Sequence, residues 1–258
     1  MNILHAIILG LVQGIAEFLP ISSSGHLVIL QEILVDEPSL TFDIVVHLGT
    51  LVAIVIMFWQ DIWSIIKKPW QKLTGLLVVG TLPVVIAGFL LRDIIESHFR
   101  NSLWLAAAFL ITGILLVIAD RFKESAKSEI TYVDALFVGI CQALDLPPGI
   151  SRSGTTITGA LYRGIDRITA AKFSFLLAMI AIAGAGVLEA WTLARGDAAV
   201  QIEAIPLFVG FAVSAVVGCF AIKLLLKLLK TAKLRYFSYY VWILAALLLL
   251  DFFTFGLV

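Results

Sequence analysis

The chain has 258 residues, 61% of them apolar, and its 18 basic and 18 acidic residues leave no net charge. Charged residues make up 14% and mean hydropathy is +1.06, whereas about a quarter of a soluble domain is charged. That balance excludes a soluble enzyme, a disordered chain and a basic nucleic-acid binder. At roughly 20 residues per crossing, the chain has room for roughly six to eight apolar helices. It reads as one polytopic all-α membrane domain over residues 1–258.

The first apolar stretch, 3–34, is broken by Pro20 and by Ser22, Ser23, Ser24 and Gly25. No Lys or Arg precedes it, and Gln13, Glu17 and Pro20 interrupt it, so it does not read as a removable signal peptide. Three unbroken spans follow at 40–62, 73–91 and 103–119. Stretch 132–162 is broken again, by Pro147, Pro148 and Gly149 and by Ser151, Arg152, Ser153 and Gly154. Spans at 168–188, 205–226 and 236–255 complete the chain. None alternates polar and apolar as barrel strands would. The halves of each broken stretch are too short to cross comfortably. Helix, break and helix within about 30 residues predicts a re-entrant hairpin, allowed where broken backbone faces protein or water. Six transmembrane helices and two such hairpins are expected.

Basic residues set the orientation. With Lys67, Lys68 and Lys72 placed in the cytoplasm, alternation adds Arg121, Lys123, Lys127, Arg163, Arg167, Lys172, Lys227, Lys230, Lys233 and Arg235 to that side. Only Arg92, Arg100 and Arg195 fall opposite, so the split is 13 against 3 and strongly positive-inside. Lys223 joins the inner set, and Arg152 fits neither. The hairpin at 3–34 then enters from outside and that at 132–162 from inside.

The two hairpins are related. Gly10, Gln13, Ile21, Ser22, Ser24 and Gly25 recur without gaps as Gly139, Gln142, Ile150, Ser151, Ser153 and Gly154, at a constant offset of 129, half the chain length. An odd number of crossings separates the copies, so halves 1–129 and 130–258 form an inverted-topology repeat. Facing hairpin tips near the midplane are a known way to build an intramembrane site. Shared membrane composition alone is the plainer explanation, but it accounts poorly for a gap-free match of this kind.

Each tip places hydroxyls and a glycine where a second half-helix begins, and exposed N–H groups there favour anions. Simple N-capping is the alternative for Ser22, Ser24, Ser151 and Ser153. Glu17 and Arg152 add a charge to each tip, and either one bare in hydrocarbon would cost several kcal/mol. Gln13 and Glu17 share a helix face at i, i+4, and His26 follows closely after Ser23. Ser, Glu and His facing an Arg from the other half suit nucleophilic phosphoryl transfer. A structural Glu17–Arg152 pair with capping serines remains the bland alternative.

Other polar residues carry less. His5, His47 and His98 lack partners at metal-ligand spacing and read as interfacial or packing residues. Cys141 and Cys219 read as small buried hydrophobes. Asp145 faces the site, ends a helix or pairs with an Arg, with no preference among these. Trp59, Trp63, Trp70, Trp104, Trp191 and Tyr236 read as an interfacial belt.

The run Gln13-Gly-Ile-Ala-Glu17-Phe-Leu-Pro-Ile-Ser-Ser23-Ser-Gly-His26 resembles the E/Q-x-x-x-E and P-x-S-S-[ST]-G-H signature of undecaprenyl-diphosphate phosphatases, also called bacitracin-resistance proteins. Pro148-Gly-Ile-Ser-Arg152-Ser-Gly-Thr155 is similar to that family's P-G-x-S-R-S-G signature, and the likeness runs along essentially the whole chain. The resemblance implies a multi-pass inner-membrane enzyme, with its site opening outward, that removes the terminal phosphate of undecaprenyl diphosphate to recycle the cell-wall lipid carrier. It also implies a divalent cation, Mg²⁺ or Ca²⁺. By motif position it assigns catalysis to Glu17, Ser23, His26 and Arg152. Two departures stand out: the first acidic position is Gln13, a neutral metal ligand beside Glu17, and Asp145 lies where the family is generally apolar.

The expected activity is therefore an intramembrane phosphatase, with Ser23 as nucleophile and His26 as the runner-up. Glu17 handles protons or metal. Ser22, Ser24, Gly25, Arg152 and the N–H groups around Ser151, Ser153, Gly154 and Thr155 hold phosphate. The expected partners are a polyprenyl diphosphate and the bilayer, without nucleic acid; a homodimer is allowed. The rival is a lipid flippase or transporter of the same architecture, which would have no use for an activated nucleophile.

Overall fold

The computed structural model describes residues 1–35, 39–99, 101–122, 127–195, 203–231 and 233–254. Arg100 and Lys123 of the charge count above lie outside them. The described residues form eleven helices and no strand: α1 Ile3–Ala16, α2 Ser23–Leu34, α3 Leu40–Met57, α4 Trp59–Lys67, α5 Lys72–His98, α6 Ser102–Ala119, α7 Tyr132–Ala143, α8 Arg152–Tyr162, α9 Arg167–Ala194, α10 Ala204–Thr231 and α11 Arg235–Thr254. Six of them, α3, α5, α6, α9, α10 and α11, are long and apolar enough to cross a membrane. The expected span 40–62 is shorter than read. Phe58 leaves helical geometry at φ −116° and ψ 27°, and the chain restarts as α4, whose Asp61 accepts from Lys172 Nζ at 2.7 Å.

Side chains are sorted for lipid. Phe89, Val187, Phe208, Phe220 and Ile243 point outward, while Gln13, Glu17, Thr50, Gln142 and Thr156 are buried. Polar groups concentrate inside because only there can they find partners.

The short helices pack in a reciprocal pattern. α1 lies against α10 and α2, and α7 lies against α5 and α8. Small residues permit this closeness: a Cβ at Gly10 would come within 2.8 Å of the Gly210 carbonyl, and one at Gly139 would strike the backbone at Gly80. Ser214 Oγ donates to the Val46 carbonyl at 2.8 Å and ties α10 to α3.

One end of the bundle is held by charge. Asp134 closes a capping box with Thr131 at the start of α7. Its carboxylate accepts from Lys127 Nζ at 2.7 Å and from Arg163 Nε, just past α8, at 2.8 Å. The outer ends of α7 and α8 are thereby joined. Burial alone would raise the Asp134 carboxyl, but Lys127, Arg163 and Thr131 together hold it below the ordinary carboxylate range. Nearby, Asp120 accepts from Leu234 N at 3.0 Å, Arg235 N at 2.9 Å and Arg167 Nη2 at 3.3 Å, joining α6, α9 and α11.

Candidate functional site

Residues 17–22 link α1 to α2, and residues 144–151 link α7 to α8. Both second helices are capped by serine: Gly25 N donates to Ser22 Oγ at 3.3 Å and Gly154 N to Ser151 Oγ at 3.1 Å. Each cap lies beside a second hydroxyl, Ser24 at 3.4 Å and Ser153 at 3.2 Å. The two tips touch, since Gly149 N donates to Ser24 Oγ at 3.3 Å and Ser153 Oγ donates to the Leu19 carbonyl at 3.2 Å. Gly149, at φ +96°, must lack a Cβ, because one there would meet the Ala108 side chain. Trp104, expected in the interfacial belt, donates its indole N–H to the Pro148 carbonyl at 2.9 Å.

Among the described residues Ser22 is the one non-glycine at positive φ, 69°. Such backbone costs of the order of 1–3 kcal/mol and persists where surroundings enforce it. Here His26 enforces it. His26 Nδ1–H donates to the Ser22 carbonyl at 2.7 Å, which leaves Nε2 to accept from the Tyr240 hydroxyl, also at 2.7 Å.

Glu17 is the centre of the cluster. Its Oε1 accepts from Arg152 Nη1 at 2.8 Å, and its Oε2 accepts from Ser23 Oγ at 2.5 Å and Gln13 Nε2 at 3.1 Å. Two further groups approach. Arg152 Nε lies 3.3 Å from Asp145 Oδ2, and His47 Nε2 lies 3.5 Å from Glu17 Oε2. His47 Nδ1–H donates to the Asp43 carbonyl at 2.7 Å, so its Nε2 is the nitrogen turned toward Glu17.

The sequence-derived candidates thus divide. Glu17, Ser23, Arg152 and Gln13 come together, and the first three line a cavity of about 510 Å³ with Ser22, Ser24 and Ser151. His26 is directed to Ser22 and Tyr240, and is not among the cavity-lining residues. Ser153, Gly25, Gly154 and Thr155 also stand behind the lining, with the Thr155 hydroxyl donating to the Arg152 carbonyl at 2.9 Å. His47 and Asp145 join the site. A lone histidine in an apolar span gave no sign of this, because its partner lies 30 residues away; Asp145 was flagged by its charge. No group of three or more His, Cys, Asp or Glu side chains at metal-binding spacing occurs among the described residues.

A serine hydroxyl donating to a buried carboxylate, beside a guanidinium and a capped helix N-terminus, has the parts of a nucleophile, its base and an anion-stabilising group. The cavity also has an apolar lining, from Leu27, Ile44, Val84, Leu146, Ile182 and Ala185. One cavity therefore offers both an anion site and a hydrocarbon surface.

Comparison with known proteins agrees with this combination. The chain is 48% identical over 253 residues to an undecaprenyl-diphosphatase of Carboxydothermus hydrogenoformans, covering 96% of this chain and 97% of that one. It is 41% identical to an undecaprenyl-diphosphatase of Methanosphaera stadtmanae, covering 93% and 94%. It is also 43% identical to undecaprenyl-diphosphatase 3 of Bacillus cereus, covering 98% and 99%. The family profile described as bacitracin resistance protein BacA matches residues 6–247. With capped tips, a buried Ser–Glu–Arg cluster and this continuous match, the chain belongs to the BacA bacitracin resistance protein family.

Proposed function

We propose that the chain hydrolyses undecaprenyl diphosphate to the monophosphate and inorganic phosphate, with Ser23 as the nucleophile. The observation that carries this is the 2.5 Å bond from Ser23 Oγ to Glu17 Oε2. Glu17 takes the proton as Ser23 Oγ attacks the terminal phosphorus. The bond from that phosphorus to the bridging oxygen breaks, and the lipid monophosphate leaves with the electron pair and picks up the proton. Glu17 next takes a proton from water as the water attacks the phosphoserine. The P–Oγ bond breaks, Ser23 regains a proton and inorganic phosphate departs. Arg152 and the N–H groups opening α2 hold the phosphoryl oxygens throughout. His26 acts through Ser22, holding the strained turn that presents Ser23.

Hard oxygen donors suit Mg²⁺ or Ca²⁺. Glu17 and the buried, unpartnered Oε1 of Gln13 would hold such an ion together with oxygens of the diphosphate. Bound there, it would neutralise phosphate charge.

The architecture proposed is a pair of re-entrant hairpins, 3–34 and 132–162, in an inverted repeat. Reciprocal packing supports this. A shift of 129 residues carries α1 onto α7, and α5 onto α10, so the α1–α10 contact exchanges with α7–α5. The site faces the external side of the inner membrane. Its lining residues Ser39 and Leu40 begin α3, and Ile95 and Ala185 lie late in α5 and α9. All four sit at the ends opposite the basic residues Lys72 and Arg167. A flippase reading uses the same cavity but leaves the Ser23–Glu17 bond without purpose.

The test is phosphate release from undecaprenyl diphosphate by purified protein, with and without chelator, followed by acid quench. Acid-stable phosphate on Ser23, absent from Ser23→Ala, is expected. Acid-labile phosphate on His26 would overturn the assignment, and transport without hydrolysis would favour the flippase.

A further inference from the structure

Several polar side chains of the cavity have no part in this mechanism, and one of them is buried with neither amide atom paired. Gln142 of α7 is 0% exposed and lines the cavity. Neither its Nε2 nor its Oε1 has a hydrogen-bond partner among the described residues. A buried amide left unpaired is destabilising, so a group of this kind is explained when a ligand completes it. Its repeat partner is otherwise occupied, since Gln13 Nε2 donates to Glu17. Gln142 has no such engagement, and Asp145, three residues on, is set against Arg152.

We infer that Gln142 binds the inner phosphate of the substrate, the one that stays on the lipid, by donating its Nε2–H to a phosphate oxygen. This rests on the phosphatase reading above. A diphosphate presents two phosphates to one cavity. The terminal one must face Ser23 Oγ, on the side where Arg152 meets Glu17. The inner one is tethered to the hydrocarbon tail. Apolar wall for that tail comes from Val84 of α5, Ile182 and Ala185 of α9, and Leu146, four residues beyond Gln142. α7 packs directly on α5, and α5 on α9. A tail on that wall carries the inner phosphate past the Gln142 amide before the terminal phosphate reaches Ser23. A bond to this phosphate is made in both substrate and product, so it strengthens binding more than it lowers the barrier.

The experiment compares Gln142→Leu and Gln142→Glu with the native protein in detergent. It measures equilibrium binding of undecaprenyl monophosphate, inhibition by inorganic phosphate, steady-state kinetics and the thermal midpoint. Leucine removes the amide at similar volume and the unpaired group with it, so the midpoint holds or rises. Monophosphate affinity falls about tenfold or more, the loss of one hydrogen bond to a charged group. KM rises in step, kcat changes less, and inhibition by inorganic phosphate is unchanged. Glutamate, isosteric and negatively charged, weakens the lipid product further. Monophosphate binding within about twofold of native in both variants overturns the inference. So does an equal loss of inorganic phosphate affinity, which would assign Gln142 to the terminal phosphate. A lowered midpoint in the leucine variant with monophosphate binding intact would make Gln142 a packing residue. Native protein that releases no phosphate would instead overturn the phosphatase reading itself.

Discussion

Replacing Arg152 by lysine separates catalysis from scaffolding. The guanidinium lies between two carboxylates, with Nη1 2.8 Å from Glu17 Oε1 and Nε 3.3 Å from Asp145 Oδ2. Its planar fork can hold both carboxylates and still direct N–H bonds at a phosphoryl group, whereas an ammonium is a single point of charge. Lysine keeps the positive charge that Glu17 and Asp145 require, so the fold survives and the thermal midpoint drops by at most a few degrees. Turnover falls about 10²-fold or more, the scale of one lost preorganised transition-state donor. Alanine would instead leave two buried carboxylates without their cation, a loss of about 3–5 kcal/mol that appears as unfolding. Phosphate release from undecaprenyl diphosphate and thermal unfolding are measured on the same preparation. A lysine variant with native turnover refutes the catalytic role of the guanidinium. One whose lost activity is matched by lost folding makes Arg152 a structural partner of Glu17.

Three further outcomes are expected. Tyr240→Phe removes the donor to His26 Nε2 and should lower kcat by no more than about tenfold, while His26→Ala also releases the Ser22 carbonyl and should lower it further; native kcat in His26→Ala would remove His26 from the site. Gln13→Glu places a second carboxylate against Glu17, so half-maximal activity should need less divalent cation, read by titrating Mg²⁺ into chelated protein; an unchanged midpoint would show that Gln13 does not meet the ion. The folded-state pKa of Asp134 is depressed, so its stabilisation is full at neutral pH and is lost as pH falls below the unfolded carboxyl value of about 4; Asp134→Asn should flatten the acid side of the thermal-midpoint profile, and a profile parallel to native would refute this.

The spans were legible because each holds an apolar run about as long as the bilayer core is thick. Where spans begin and end was less so. Gln60 and Asp61 interrupt the hydropathy without fixing where the helix breaks, and the turn at Phe58 is set where α4, joined to α9 by Asp61 and Lys172, leaves the line of α3. α5, α9 and α10 run beyond the expected limits. The site was legible to the extent that its members are close in sequence. Glu17, Ser22 and Ser23 fall within one broken stretch, and Arg152 was placed opposite them by the 129-residue offset. The contacts of His47 and Trp104 were not legible, because lone polar groups in apolar spans declare no partner. Their partners, Glu17 and the Pro148 carbonyl, lie 30 and 44 residues away.

The offset also shows where the chemistry resides. Positions 129 apart that are identical, Ser22 with Ser151, Ser24 with Ser153 and Gly25 with Gly154, perform matching work at the two tips: they cap α2 and α8 and let the tips meet. The charged members of the cluster, Glu17, Asp145 and Arg152, fall at differing positions. Ser23 pairs with Arg152, each in the first turn of its helix, so one tip carries the hydroxyl and the other the guanidinium. Glu17 pairs with Leu146, which puts the carboxylate on the side of the hydroxyl and hydrocarbon on the side of the tail-facing wall. Two like tips would suffice to bind an anion from either face of a membrane. A displacement at phosphorus needs unlike groups, an attacking oxygen with its base and a fixed positive charge on the oxygens it displaces. On the proposed phosphatase reading, symmetry would build the cavity, and the departures from it would supply the nucleophile, the base and the cation that a transporter would not require.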